Sequence, residues 1–313
     1  MNNSISMLAL RLFSRVAALG SFSLAATEFH LPASSVSRHI AALENALGQR
    51  LLYRHTRAVR LTDAGQRYFE QVREALAQLE LAAEQIDGEA GQPTGVLRLN
   101  APVAFGRLQL MPLLSAFQQR YPGIEVELML TDAVIDPVQE GVDVTFRIGR
   151  LLDSSLVARS LGEQINVLCA APQYLAEHGT PYHPSDLAAH HCLVYKGARG
   201  VKPWYLRPPG ERAFKPFAVQ GRLRSNSAEC LVDAALRGEG IILFPTWLLA
   251  APLRSGQLVP ILADWQASED PQPPGIHVIY PENRLRSTKV RLFLEDLFAR
   301  VGSPPIWDDW RNG

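Results

Sequence analysis

"SSVSRHIAALENALG" (Ser34–Gly48) decides how the N-terminal part of this chain is read. Val36, Ile40, Leu43 and Leu47 recur at spacings of four, three and four, the mark of a helix with one apolar stripe. The other faces of its first turns carry Ser34, Ser35, Ser37, Arg38 and His39. A helix start needs one capping hydroxyl, so these serines and the arginine exceed what folding requires. Hydroxyls contact phosphates or base edges, arginine pairs with guanine or clamps a phosphate, and the free amides of a helix start attract phosphate. The surplus polar groups therefore read as contact chemistry for a nucleic acid.

Upstream, Leu8, Leu12, Val16 and Leu19 predict a helix ending at Gly20. Ser21 or Ser23 can cap a second short helix, "SLAATEFH", with Leu24, Ala25 and Phe29 turned inward; the small Ala25 and Ala26 permit a close crossing. Two short helices joined by "HLP" make a helix-turn-helix, whose second helix enters the DNA major groove N-terminus first. Downstream, Leu51–Leu52 and Val59–Leu61 flank a basic turn. They predict a β-hairpin wing along the DNA backbone, with Arg54, His55, Thr56 and Arg57 near phosphates. Thr62 caps a single long helix over 63–88, in which Phe69, Val72, Leu76, Leu79, Ala83 and Ile86 keep heptad spacing. That seam reads either as packing on its own domain or as a coiled coil between two copies. The second is favoured, because a two-fold DNA site needs a twin of a single basic module.

Charge supports the same division. Net charge over the 313 residues is +0, yet residues 1–62 hold seven arginines against Glu28 and Glu44, a net of +5. Residues 63–90 hold two arginines against seven acids, a net of −5. The positive charge is thus concentrated where a nucleic-acid partner would need it. The length suits two or three domains, and 47% hydrophobic with 20% charged residues describes a globular chain. "VAALGSFSLAA" is interrupted by Gly20, Ser21 and Ser23, so a helical reading fits better than a signal peptide. No apolar run approaches the roughly 18 residues of a membrane span, and a cytoplasmic protein without membrane contact is expected. Cys169, Cys192 and Cys230 lack metal-ligand spacing, and adjacent residues such as His190, His191 and Cys192 rarely converge on one ion. No G-x-S-x-G, H-E-x-x-H, P-loop or G-x-G-x-x-G pattern occurs. We expect no enzyme, no cofactor and no metal. The basic N-terminus also argues against a simple solute-binding module.

Beyond "GEAGQPTG" (Gly88–Gly95), a hinge composition, the pattern changes. "VLRLNAP" and "IEVELML" read as strands separated by the helix "LMPLLSAFQQRYP"; "VIDPVQEGV" reads as a short helix and "VDVTFRIG" as a strand. "INVLCAAPQYLAEHG" and "GIILFPTWLLA" continue the alternation, and "IHVIYPENRLRSTKVRLFLEDLFARV" closes with a strand and a helix. Alternation of this kind predicts α/β architecture with a largely parallel sheet.

The segments "F..V...GSFS.AA", "SSVSR.I..LE..LG..L..R" and "LT.AG" resemble the DNA-binding domain of LysR-type transcriptional regulators. The resemblance covers the first ninety residues densely, and the remainder fits the family layout. It implies an α/β protein with an N-terminal all-α winged helix-turn-helix (1–62), a linker and dimerisation helix (63–88), a hinge (89–95) and an effector-binding domain (96–313). That last part would resemble a two-lobed periplasmic-binding-protein-like domain, lobe 1 spanning about 96–162 and 271–300 and lobe 2 about 163–270. Implied partners are double-stranded promoter DNA, a small-molecule effector, RNA polymerase and further copies of the chain, as a homodimer through the linker helix and then a homotetramer. Ser34, Ser35, Ser37, Arg38, Arg54, Thr56 and Arg57 would contact DNA. One departure stands out: the family carries a Ser or Thr cap followed by Pro or Gln where this chain has Pro32 and Ala33. That removes the usual cap and predicts a helix start shifted by a residue, with Ser34 doubling as cap.

Ligands of open α/β sheets bind beyond the carboxyl ends of strands. Asn100, Pro102, Val103 and Phe105 follow the first strand of this region, and Thr131 and Arg147 end later ones. Ser225, Asn226 and Ser227 precede an apolar helix; Phe244 and Pro245 end a further strand. Taken alone, Ser225 and Ser227 read as helix caps, Arg147 as an ion-pair partner, and Phe105 and Phe244 as core. As a group they suit a carboxylate, since a helix start with hydroxyls and amides favours negative charge. An organic acid is the expected effector, and the phenylalanines would suit an aromatic one as well as an aliphatic one.

Overall fold

A computed structural model describes residues 5–55, 58–88, 93–151, 156–197, 200–201 and 203–311. The chain forms two compact units, one of residues up to 94 with 286–288 and one of the remainder.

In the first unit, α1 (Met7–Leu19) begins at Ser6, whose Oγ accepts from Ala9 N at 3.1 Å, and ends at Gly20 with φ 61°. Its buried stripe is Ala9, Leu12, Phe13 and Val16. Leu8 is 37% exposed, which corrects the predicted stripe by about one residue's rotation. Ser21, not Ser23, caps α2 (Phe22–Glu28), accepting from Leu24 N. Ala25 and Ala26 are buried, whereas Leu24 is 57% exposed and does not face inward. The small alanines bring this short helix close, and a leucine one step away is turned out by the helical rotation. Next, α3 (Ala33–Leu47) buries Val36, Ile40 and Leu43 and ends at Gly48 with φ 66°. Glu44 Oε1 accepts from Leu51 N at 2.8 Å and Leu52 N at 3.1 Å, which ties the end of α3 to the wing. Strands β1 (Leu52–His55) and β2 (Ala58–Leu61) pair antiparallel, Leu52 opposite Leu61. Thr62 Oγ1 accepts from Gly65 N at 2.9 Å and opens α4 (Asp63–Gly88). A Cβ on Gly65 would lie 1.9 Å from Leu51 O, so glycine is required there. Phe69 and Val72 are buried, and Phe69 meets Phe13 edge-on at 6.3 Å. The first part of the heptad seam therefore packs within its own chain. Leu79 is 50% exposed, and the side chains of Ala83 and Ile86 lie outside the described residues.

The second unit opens with β3 (Gly95–Ala101), then α5 (Val103–Phe105), a π-helical turn (Gly106–Leu110) and α6 (Met111–Arg120). Strands β4 (Ile124–Leu130), β5 (Val144–Gly149), β6 (Leu156–Glu163) and β7 (Asn166–Ala170) follow. Then come α7 (Pro172–His178), β8 (Val194–Gly197), β9 (Gly200–Val201), β10 (Trp204–Arg207), β11 (Lys215–Phe217) and β12 (Arg224–Ser225). The chain continues through α8 (Ala228–Leu236), β13 (Ile242–Pro245), α9 (Thr246–Arg254), β14 (Val259–Pro260) and β15 (Gln266–Ser268). It closes with β16 (Gly275–Pro281) and α10 (Thr288–Val301).

One sheet has the order β4-β3-β5-β16-β6; another runs β11-β10-β15-β7-β13 with β14 also on β7; a third is β12-β8-β9. The expected largely parallel sheet is corrected. Pairing is parallel at β4-β3-β5 and β12-β8, and antiparallel at every other named pair. A parallel neighbour needs a long crossover, which α5 and α6 provide between β3 and β4. No helix lies between β5 and β6 among the described residues, and the returning β16 inserts between them, antiparallel to both. "VIDPVQEGV" is a turn rather than a helix. Asp136 Oδ1 accepts from Val138 N, Val142 N reaches back to Pro137 O, and Gly141 takes φ 68°, so the chain reverses before β5. Among the described residues, no helix is long and apolar enough to cross a membrane.

Candidate functional site

Two regions gather the chemistry. On α3, Pro32 is the N-cap and makes no side-chain cap bond; the helix begins at Ala33. The start is therefore not shifted, and Ser34 lies inside the first turn rather than capping it, a correction to the expectation. Proline's fixed φ of about −65° fits the extended N-cap backbone, here φ −62°, so the helix starts without a hydroxyl. Ser34 and Arg38 are exposed, and Ser35, Ser37 and His39 are half-buried, opposite the Val36–Ile40–Leu43 stripe. Arg38 Nη2 donates to Ser35 Oγ at 3.0 Å. Arg15 is spoken for: its guanidinium holds Glu28 through bonds of 2.8, 3.0 and 2.8 Å. Arg54 sits on β1 with its side chain, like that of His55, outside the described ones; Thr56 and Arg57 lie outside the described residues.

The second region is a cavity of about 480 Å³ in the larger unit. Of the sequence candidates, Asn100, Pro102, Val103, Thr131 and Arg147 line it from the five-stranded sheet and its connections. Asn226, Ser227, Phe244 and Pro245 line it from the α8 start and β13. Two candidates are not brought there. Phe105 is core, 2% exposed, stacked edge-on against Trp247 at 5.5 Å and Trp307 at 5.6 Å. Ser225 shapes the turn: its Oγ accepts from Ser227 N at 3.0 Å, while Ser227 Oγ caps α8 by accepting from Cys230 N at 3.3 Å.

The polar groups of the cavity differ in how they are held. Asn100 is buried and donates to Met129 O at 3.1 Å. Thr131 Oγ1 accepts from Ala133 N, and Asp132 Oδ1 from Val103 N, each at 3.1 Å. Thr145 Oγ1 and Trp247 Nε1 are buried and have no hydrogen-bond partner among the described residues. Glu229 pairs with Arg107. Burial raises the Tyr195 phenol, and the charges of Asp132 and Glu269 raise it further. Sequence reading missed Asp132, Thr145, Tyr195, Glu229, Trp247 and Glu269. Thr145 was within reach, because alternate residues of a strand share a face and Thr145 stands two before Arg147 on β5. Asp132 directly follows Thr131. Tyr195 and Glu269 come from strands remote in sequence and carry no local signal.

Elsewhere, Cys169 and Cys192 are buried, and burial pushes the Cys192 thiol up to about 12. Neither is a thiolate at neutral pH. Tyr174 OH lies 3.2 Å from His190 Nδ1 and accepts from His191 N. Among the described residues, no group of three or more His, Cys, Asp or Glu is placed to hold a metal ion.

Known proteins match both regions. A family model described as "Bacterial regulatory helix-turn-helix protein, lysR family" matches residues 7–66, and one described as "LysR substrate binding domain" matches 90–301. The HTH-type transcriptional regulator YhjC of Escherichia coli (strain K12) is 37% identical over 287 residues, covering 92% of this chain and 95% of its own length. The HTH-type transcriptional regulator DmlR of the same organism is 35% identical, covering 96% of each. Among solved structures, the full-length Vibrio cholerae virulence activator AphB, a member of the LTTR protein family, is 32% identical with a TM-score of 0.60. That match covers 94% of this chain and 99% of AphB.

Proposed function

The chain belongs to the LysR family of bacterial helix-turn-helix regulatory proteins, and on that premise we propose how its residues divide DNA reading from effector sensing. It is a DNA-binding transcriptional regulator of LysR type. Ser34, Ser35, Ser37 and Arg38 on α3 enter the major groove of promoter DNA, while Arg54, Thr56 and Arg57 of the wing follow the phosphates. The observation that carries this reading is the polar start of α3, which faces solvent while Val36, Ile40 and Leu43 of the same helix are buried.

The functional partition follows residues 1–62 for DNA, 63–88 for pairing copies and 96–313 for the effector. Two copies join through α4, whose Leu79 is exposed, and dimers pair into a tetramer on an interrupted two-fold site. An organic acid binds in the cavity, supported by Arg147, the unpaired Thr145 hydroxyl and the α8 start. Its binding changes the angle between two lobes, and the paired α4 helices pass this on as altered spacing or DNA bend, which changes access of RNA polymerase. Ligand and DNA affinities are then coupled reciprocally. The work is done in the cytoplasm.

The deciding experiment measures binding to the DNA flanking the protein's own gene at several salt concentrations, beside an unrelated fragment. Selective, salt-sensitive binding is expected, with Arg38→Ala losing about 1–3 kcal/mol. Affinity unchanged in that variant would remove Arg38 from the contacts. For the effector, calorimetry showing tight binding of a cation and of no carboxylate would overturn the organic-acid reading.

A further inference from the structure

Beyond α10, residues 302–311 fold back over the larger unit. Trp307 is 1% exposed, and Pro305 is buried with it. Trp307 stands edge-on to Phe105 at 5.6 Å, and Phe105 meets Trp247 edge-on at 5.5 Å and Phe146 at 6.0 Å. Phe146 lines the cavity from β5 of the five-stranded sheet, and Trp247 lines it from α9, which follows β13 of the other large sheet. Trp307 therefore backs a ring that touches both walls.

The local sequence of α9 gives that wall little support. The helix has nine residues, its N-cap Pro245 makes no side-chain cap bond, and Pro252 sits inside it. A helix so short is marginal by itself, and an internal proline removes a hydrogen bond and crowds the carbonyl four residues back. Support arrives from far along the chain. Asp308 Oδ1 accepts from the hydroxyl of the buried Thr246, the first residue of α9. That sets a carboxylate at the helix end whose free amides favour negative charge. At the other end of α9, Arg254 Nη2 donates to Ile306 O at 3.2 Å.

The same segment is also held on the first sheet. A Cβ on Gly162 of β6 would lie 2.7 Å from Pro305 Cγ, so glycine lets the proline ring lie against the strand. Ile306 N donates to Val301 O at 2.9 Å and Asp308 N to Pro305 O at 2.8 Å, which fixes the turns between these anchor points. Residues 302–311 thus touch β6 and Phe105 on one side and both ends of α9 on the other.

We propose that residues 302–311 are a strap that fixes α9, and with it the Pro245–Trp247 wall of the cavity, against the five-stranded sheet. Trp307 and Asp308 are its positioning residues. The consequence for sensing rests on the reading of the cavity as the effector site: a ligand that changes the angle between the two sheets has to move α9 against this strap.

The test is hydrogen exchange on the full-length protein, which reports local opening segment by segment. Trp307→Ala should speed exchange in 103–110 and 246–254 at least tenfold, and Asp308→Ala at least threefold in 246–254. The amides of β7 should stay within twofold in both. Asp308→Asn keeps an acceptor for the Thr246 hydroxyl and should restore wild-type exchange. Trp307→Phe should do the same, because the indole N–H has no partner among the described residues. Gly162→Ala, which displaces Pro305 from the opposite side, should reproduce Asp308→Ala. Equal acceleration in β7 and α9 would show a general loss of stability and overturn the strap, as would wild-type exchange in both alanine variants. The organic-acid reading is decided separately, by calorimetry of the wild-type protein with benzoate and succinate, so the two ideas can fail independently.

Discussion

Ser35 and Arg38 on α3 satisfy each other at the surface, whereas Thr145 and Trp247 in the cavity are buried with a hydroxyl and an indole N–H unpaired. Both regions hold polar groups without a role in folding, and they keep them in opposite states. On α3 water solvates the groups, so the free protein loses little, and DNA must replace solvent and an internal bond. In the cavity each unpaired group costs about 1–3 kcal/mol, and a ligand that pairs with them recovers it. The first surface suits a large charged partner approaching from outside; in the proposed reading the second would select a small molecule of matched shape and polarity.

The contrast can be broken at its strongest point by disrupting one unit alone. Phe13 is fully buried against Phe69, so Phe13→Ala should cost about 3–5 kcal/mol in urea unfolding of the N-terminal unit. DNA binding would fall while ligand binding in the cavity persists; parallel loss of both would show that the two regions do not stand independently. Glu44→Ala leaves Leu51 N and Leu52 N without their acceptor, and a loss of about 1–3 kcal/mol is expected in the same assay.

Thr145→Val sharpens the comparison. Removing an unpaired buried hydroxyl should leave the empty protein unchanged or stabilise it by up to about 1 kcal/mol, read as its melting temperature, while calorimetry shows weaker effector binding. The smallest effect belongs to Ser35→Ala: stability within about 0.5 kcal/mol, since among the described residues the Ser35 hydroxyl bonds the exposed Arg38, with a modest loss in gel-shift affinity. A large drop in stability would mean that the α3 surface, too, is structural.

The course of α3 was legible because its evidence is local. Val36, Ile40 and Leu43 obey a helical period, and Gly48 ends the helix in the left-handed region. The same logic misplaced Leu8 and Leu24. A stripe through Leu8 and one through Ala9 share Leu12 and Val16, and only the packing of neighbouring helices selects which is buried. Phe105 and Phe244 show the limit more sharply. Phe105 follows β3 and Phe244 lies near the end of β13, but one is enclosed by Trp247 and Trp307 while the other lines the cavity.

By itself, the sequence determined the helix-turn-helix, the long helix after it, the solvent-facing polar start of α3 and the alternation of strands and helices beyond residue 95. Each depends on periodicity and caps within a few residues. The tertiary structure decided the rest. It set β16 between β5 and β6, made most strand pairs antiparallel where a largely parallel sheet was expected, and brought Asp132, Thr145, Tyr195, Trp247 and Glu269 around one cavity. Those residues are neighbours only through strand order and crossovers, and long-range pairing is chosen by the packing of the whole unit rather than by any local spacing.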